Sequence, residues 1–295
     1  MPTVEQALGL GRERLRGSES ARGDAALLLG YVLEQSNAWL LAHGDEALEP
    51  GQSERFERAL ARRAAGEPVA YIIGRAGFYG RLFAVTPDVL IPRPETEELL
   101  ERALAFLCAH FAERSVRVCD VGTGSGALAV SLALEVPTAE IVAIDISPTA
   151  LAVARRNAFA FGVAERVRLV EGDARGVLAE GAPFDAVVAN LPYVRTDDLP
   201  REPDSAAFEP RLALDGGVDG LAAYRDLLAC GPNLLAAGGM LFMEGGPDTL
   251  AGLVTLAART FDEAARVTGY ADYGGRQRVV EVLDLRAPER EPKAG

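Results

Sequence analysis

The sequence is short of the residues that staple or metallate a fold. Its three cysteines, Cys108, Cys119 and Cys230, form no CxxC pair, and its two histidines, His43 and His110, stand alone. This disfavours a disulfide framework and a zinc site, so no metal is expected. Cys119 lies inside an apolar strand pattern, a poor setting for a reactive thiolate. Both histidines read as helix-surface residues. The chain also lacks a run of lysines and arginines. Its net charge is −13, so the usual electrostatic footprint of a DNA or RNA binder is missing. Met1 to Gly17 is interrupted by Glu5, Arg12, Glu13, Arg14 and Arg16 and holds no apolar stretch of the signal-peptide kind. The longest uncharged run, Leu227 to Met243, contains Gly231, Pro232, Asn233, Gly238 and Gly239. It reads as helix, turn and strand rather than a membrane span. A cytoplasmic protein with no membrane or direct nucleic-acid contact is the expectation.

What is present is enough apolar residue for a large core, 49% of 295 positions. Up to about residue 65 the apolar positions recur at helical spacing: Val4, Ala7, Leu8 and Leu15, then Ala25, Leu28, Leu29, Val32 and Leu33, then Phe56, Leu60 and Ala64. Glycine and serine at 17–20 and Gly51 are read as breaks. A helical bundle over 1–66, used to recognise a partner, is expected. Val69 to Val89 is rich in Tyr, Ile, Phe and Val and punctuated by glycine, so 67–92 reads as a hairpin linker. Pro94 and the acidic residues after it suit a helix start. From Val116 onward strands and Ala/Leu-rich helical segments alternate. The strand candidates are Val116–Val121, Glu140–Ile146, Arg166–Glu171, Ala186–Ala189 and Met240–Glu244, with Val267–Tyr273 and Arg278–Leu285 as a late antiparallel edge hairpin. This is the pattern of an α/β doubly wound, mostly parallel sheet over 93–285. Residues 286–295 are expected to be disordered.

The chemistry sits at strand ends. The first strand runs into Asp120-Val121-Gly122-Thr123-Gly124-Ser125-Gly126, and a helix begins directly after it. Alternating glycines allow a tight turn and close approach of a ligand. The spacing is GxGxG, not the GxGxxG of a dinucleotide site, and no P-loop lysine follows. Asp145 closes the next strand, where a carboxylate can accept from both hydroxyls of a ribose. Asp173 follows the third strand, with Ala174 beside it, where an adenine amino group would be received. Each aspartate alone could be a solvated turn residue; together with the glycine turn they favour an adenosine ligand. The fourth strand ends in Asn190-Leu191-Pro192-Tyr193. Asn offers a side-chain acceptor, the next peptide a second, proline stiffens the turn and tyrosine adds a stacking face. Such a turn suits a planar NH2 group.

This order resembles that of the class I S-adenosylmethionine-dependent methyltransferases, and the last motif resembles the NPPY motif of enzymes that methylate planar amino groups. Further stretches narrow the resemblance to the HemK/PrmC family, peptide chain release factor glutamine N5-methyltransferases. These are Glu67–Gly74, Phe78-Tyr79-Gly80, Val89-Leu90-Ile91-Pro92-Arg93-Pro94-Glu95-Thr96-Glu97 and Glu209–Leu214. The resemblance covers residues 67 to 283 and includes a helical N-terminal domain of the family's kind. It implies a seven-stranded Rossmann-like domain, S-adenosyl-L-methionine as cofactor and class 1 release factors as partners, with a monomeric enzyme. Methylation of a ribosomal-protein glutamine or of an adenine amino group is the alternative. Carried onto these residues, it makes Gly122, Thr123, Gly124, Ser125, Gly126, Asp145, Asp173, Ala174 and Asn190 the cofactor contacts. It makes Asn190, Leu191, Pro192 and Tyr193 the substrate contacts, with Asn190, Pro192 and Tyr193 catalytic. Arg93, Pro94, Thr96 and Phe78 would close over the cofactor or brace the hairpin, and Glu209 and Arg211 would order a loop over the substrate or anchor it. Leu191 departs from the family's proline, so any acceptor at that position must be its backbone carbonyl.

Overall fold

The computed structural model describes residues 1–18, 20–111, 114–176, 181–271 and 274–286. Two compact units make up the chain. One is Met1–Arg75 with Pro200–Phe208; the other is Ala76–Leu199 with the residues from Glu209 on.

The first unit is helical: α1 (Val4–Arg14), α2 (Ala21–Leu33), α3 (Asn37–Ala42), α4 (Pro50–Ala64) and α5 (Val69–Ile73). The Thr3 hydroxyl accepts from Gln6 N at 3.3 Å while Gln6 Oε1 accepts from Thr3 N at 3.0 Å, a reciprocal cap that starts α1. The periodic residues Val4, Ala7, Leu28, Leu29, Phe56 and Leu60 meet in one core. Two expectations change here. Gly51 does not break a helix; it lies in the first turn of α4, where Pro50 supplies a preset φ and Glu49 with Gln52 forms a capping box. Residues 69–73 are helical rather than extended. Their β-forming side chains are overridden by tertiary context, with Tyr71 and Ile72 both buried.

The second unit opens with a hairpin, β1 (Arg75–Phe78, its first residue in the helical unit) and β2 (Arg81–Ala84). Then follow α6 (Glu95–Phe111), β3 (Val116–Val121), α7 (Ala127–Glu135), β4 (Ala139–Asp145), α8 (Pro148–Ala160), β5 (Val167–Glu171), β6 (Phe184–Ala189), α9 (Ala222–Leu228), β7 (Leu235–Glu244), α10 (Leu250–Phe261), β8 (Ala265–Ala271) and β9 (Gln277–Asp284). The seven-stranded sheet runs β5-β4-β3-β6-β7-β9-β8. The first five of these are parallel, and β9 and β8 close the edge antiparallel. Neighbouring residues of β6 face opposite layers. Ala186 and Val188 join the core under α6 and α7, while Val187 and Ala189 join the core under α9 and α10. Strands buried on both faces explain the continuous apolar runs.

Strand β7 begins five residues before the expected Met240. Gly238 and Gly239 read as breakers, yet they lie where the pairing to β6 shifts register. A Cβ on Gly239 would come within 3.0 Å of the carbonyl oxygens of Phe184 and Asp185, so glycine here permits close strand approach. Between β5 and β6 the described residues hold only a short helical turn at 174–176, not the expected helix. The edge hairpin agrees with the expectation, though residues 272–273 lie outside the described residues. Of the expected disordered tail, Arg286 is held: its guanidinium pairs with Asp284 and donates to the carbonyls of Pro232 and Leu235. Residues 287–295 lie outside the described residues.

Candidate functional site

The parallel strands turn back on themselves between β3, which leads to β4 and β5, and β6, which leads to β7. Ligands of open α/β sheets sit at such a switch point, beyond the carboxyl ends of the strands. A cavity of about 480 Å³ lies there, within the size range of small-molecule sites.

Its first wall is the glycine turn after β3. Gly122, Gly124 and Gly126 have φ of 75°, 55° and 78°. A Cβ on Gly122 would lie 2.7 Å from Leu191 Cδ2. Glycine is therefore needed there because the side chain of Leu191 occupies that space. Gly122, Gly124 and Ser125 line the cavity; Thr123 and Gly126 do not. Thr123 turns inward, donating from Oγ1 to Asp120 Oδ2 at 2.6 Å, and Ala129 N donates to the same oxygen at 3.1 Å. Asp120 thus ties the turn to the first turn of α7. Burial pushes its carboxyl up to about 7 against these hydrogen bonds.

Asp145 ends β4 and lines the cavity. Each of its oxygens takes one backbone N–H: Gly124 N to Oδ2 and Ser147 N to Oδ1, both at 2.9 Å. Burial raises its pKa, and the backbone donors work against that shift. A carboxylate oxygen has lone pairs for a second donor, so the side chain is fixed in orientation and still able to accept a diol. Asp173 and Ala174 also line the cavity; Asp173 is exposed and accepts from Gly176 N at 2.9 Å. From α8, Asn157 Nδ2 donates to the carbonyls of Ser125 (2.7 Å) and Ala84 (3.0 Å), and its Oδ1 accepts from Ala84 N. This buried amide joins the glycine turn to β2. No periodicity or motif in the sequence singles it out.

The second wall is the turn after β6. Asn190, Leu191 and Pro192 line the cavity. Asn190 Nδ2 donates to Thr96 Oγ1 at 3.0 Å. Leu191 is 6% exposed and packs into the core under α9 and α10. Its backbone N–H, a group that proline lacks, donates to Tyr224 Oη at 3.1 Å. The Tyr224 hydroxyl donates in turn to the carbonyl of Glu244 and lies 3.3 Å from the carbonyl of Leu191. Tyr224 is fully buried, and an unpaired buried N–H costs about 1–3 kcal/mol. The tyrosine therefore supplies what a leucine at this position needs.

Tyr193 departs from its expected place. It is absent from the cavity wall; its ring lies against Gly246 and its hydroxyl donates to Glu244 Oε1 at 3.3 Å. Burial and the neighbouring Glu244 raise its pKa. Glu244, at the end of β7, is 1% exposed. Burial pushes its carboxyl up to about 6, and hydrogen bonds from Thr96 and Tyr193 oppose the shift. A carboxylate closing a buried parallel strand beside the Asn190 strand was the available signal for it.

The segment after the turn is held by backbone bonds: Val194 N to Leu214 O (3.0 Å), Gly216 N to Val194 O (2.8 Å) and Thr196 N to Gly217 O (3.0 Å). Glu209 is buried, pairs with Arg93 and accepts from Ile91 N at 3.2 Å. It anchors the strip Ile91–Arg93 along the cavity, whereas Arg211 pairs with Asp215 at the surface. Phe78, Arg93 and Thr96 line the cavity and Pro94 does not. Among the described residues no group of His, Cys, Asp or Glu could hold a metal ion.

A glycine turn and a strand-end carboxylate at the switch point of this sheet order define the class of protein: a methyltransferase of the class I fold. The chain matches the PrmC N-terminal domain over residues 6–74 and a methyltransferase domain over 118–202. It is 45% identical over 280 residues to a release factor glutamine methyltransferase of Moorella thermoacetica, covering 94% of this chain and 96% of the relative. It is 41% identical to that of Burkholderia pseudomallei, covering 98% and 97%. Among solved structures, the fold is shared with the Thermus thermophilus 16S rRNA N2 G1207 methyltransferase (TM-score 0.51, 21% identity, 71% of this chain and 49% of that one). The chain belongs to the release factor glutamine methyltransferase family. No helix among the described residues is long and apolar enough to cross a membrane.

Proposed function

We propose that this protein transfers a methyl group from S-adenosyl-L-methionine to the side-chain amide nitrogen of the glutamine in the GGQ motif of class 1 peptide chain release factors. The observation that carries the reading is the sharing of one cavity by the glycine turn with Asp145 and by the Asn190–Pro192 turn. The donor set fits the cofactor. Asp145 keeps lone pairs for a ribose, Asp173 and Ala174 stand where an adenine would be read, and the glycine turn leaves room for close approach. When bound, the cofactor supplies an electrophilic methyl group on a sulfonium.

The residues then have one task, which is orientation. An amide nitrogen is a poor nucleophile because its lone pair is delocalised into the carbonyl. Asn190 Oδ1 and the Leu191 carbonyl accept the two N–H groups and aim the nitrogen. One lone pair of the Leu191 carbonyl stays free of Tyr224, whose single hydroxyl proton goes to Glu244. Positioning of this kind contributes several kcal/mol, up to roughly 7–11 in ideal intramolecular cases. Pro192 stiffens the turn. Tyr193 braces it from behind through Glu244 rather than stacking on the substrate. The N-methylated amide cation loses its proton readily, so neither a general base nor a metal is required.

The helical unit, residues 1–66 in our division, is assigned recognition of the substrate protein, and its cleft lined by Arg55, Arg58, Arg62 and Arg75 is the cationic surface it offers. Reaction in the cytoplasm, by a monomer that does not itself bind nucleic acid, accords with this reading. The test is to incubate purified enzyme, S-adenosylmethionine and a class 1 release factor and locate any methyl group by peptide mass spectrometry. Methylation of the GGQ glutamine is expected. Unmodified release factor beside a methylated ribosomal protein or methylated adenine would move the assignment to that substrate.

A further inference from the structure

We propose that Thr96 and Glu244 are positioning residues that hold the Asn190 side-chain amide in a single orientation, nitrogen inward and oxygen toward the cavity. The proposal deepens the functional reading above and rests on it for its catalytic consequence.

The argument begins with register. The last ladder pair between β6 and β7 is Ala189 with Met243, so Asn190 and Glu244 leave the sheet side by side. Thr96, in the first turn of α6, is buried between them. Its hydroxyl accepts from Asn190 Nδ2 and hydrogen-bonds the Glu244 carboxylate. A hydroxyl has one proton, and an ionised carboxylate can only accept. The Thr96 proton must therefore point to Glu244, and toward Asn190 the Thr96 oxygen can only accept. Only the NH2 end of the Asn190 amide can meet it. Turning the amide over would set Oδ1 against an oxygen with no proton to give, leaving buried acceptors unpaired at a cost of about 1–3 kcal/mol.

The same carboxylate also takes the Tyr193 hydroxyl, so both ends of the Asn190–Tyr193 turn are tied to one group. This explains why a carboxylate is kept almost wholly out of water. A glutamine there could donate or accept, and would not fix the direction of the chain of hydrogen bonds.

The experiment combines a spectroscopic and a kinetic reading. The chain has only four asparagines, Asn37, Asn157, Asn190 and Asn233, so selective 15N-asparagine labelling gives four side-chain amide pairs. Asn190→Ala identifies the Asn190 pair. In the wild type one Asn190 proton is expected to resist solvent exchange. In Thr96→Val, which is isosteric but can neither accept nor donate, that protection falls at least about 10-fold, and Thr96→Ser restores it. At saturating S-adenosylmethionine, kcat for glutamine methylation falls about 10- to 100-fold in Thr96→Val, with cofactor affinity within about threefold of wild type. An unchanged Asn190 exchange pattern in Thr96→Val overturns the proposal. So does a serine variant that loses as much kcat as the valine variant. If the wild type methylates no glutamine, the functional reading fails, and the exchange arm still decides whether Thr96 and Glu244 orient the amide.

Discussion

The two walls of the cavity are built in different ways. The Gly122–Asp145 wall is fixed by its own backbone. Gly122 N and Thr123 N both donate to Ile144 O, and Gly124 N holds the Asp145 carboxylate. The Asn190–Tyr193 wall is fixed by side chains from far along the chain: Thr96 from α6, Tyr224 from α9 and Glu244 from β7. A wall held by its own peptide groups tolerates change in its neighbours. A wall held by side chains depends on each of them.

The comparison assigns cofactor binding to the first wall and acceptor orientation to the second, and mutation should separate them. The largest effect is expected at Asn190. Removing its acceptor in Asn190→Ala lowers turnover by a factor on the order of 10²–10³, read at saturating cofactor on a release factor substrate. Asp145→Ala should strike the other wall. Loss of charge-assisted hydrogen bonds weakens S-adenosylmethionine binding by about 10- to 100-fold in calorimetry, with kcat at saturation changed by no more than a few-fold. Comparable losses of kcat in both variants would break the division.

How far each wall could be read from sequence follows the same line. The glycine turn, Asp145 and Asp173 form a local pattern attached to strand ends, and the parallel sheet announced itself through unbroken apolar strands such as Phe184–Ala189. The Asn190–Pro192 turn was legible as well. Its supports were not. Tyr224 sits in an ordinary Ala/Leu-rich helix, and Asn157 in another; only tertiary contact makes either one part of the site. Tyr193 looked like a stacking face because aromatic character shows in sequence and the direction of a ring does not. Residues 69–73 were missed for a related reason, since local β-propensity gave way to packing in the helical core.

Tyr224 sharpens the comparison, because its role exists only while residue 191 has an N–H. Tyr224→Phe should destabilise the fold by about 1–3 kcal/mol in urea unfolding. In a Leu191→Pro background, with no N–H to satisfy, the same change should cost less than about half as much. Equal costs in both backgrounds would show that the tyrosine acts through packing alone.

Glu244 gives the smallest effect and fixes its sign. Burial raises its carboxyl from the ordinary 4.5 to about 6. A raised acid holds its proton more tightly folded than unfolded. Its contribution to stability is therefore complete below about pH 4.5 and is lost as pH rises through about 6. Between pH 4.5 and 7.5 the wild type should lose up to about 2 kcal/mol relative to Glu244→Gln. Parallel pH profiles of unfolding for the two proteins would contradict this.

The division of labour is tested most directly by titrating S-adenosylmethionine into Asn190→Ala by isothermal calorimetry. Asn190 lines the same cavity as Asp145, yet its work lies in orienting the acceptor. The dissociation constant should stay within about threefold of wild type, because the backbone-held wall remains intact. A loss of affinity as large as the loss of turnover would mean that the two walls act as one, and would contradict the account.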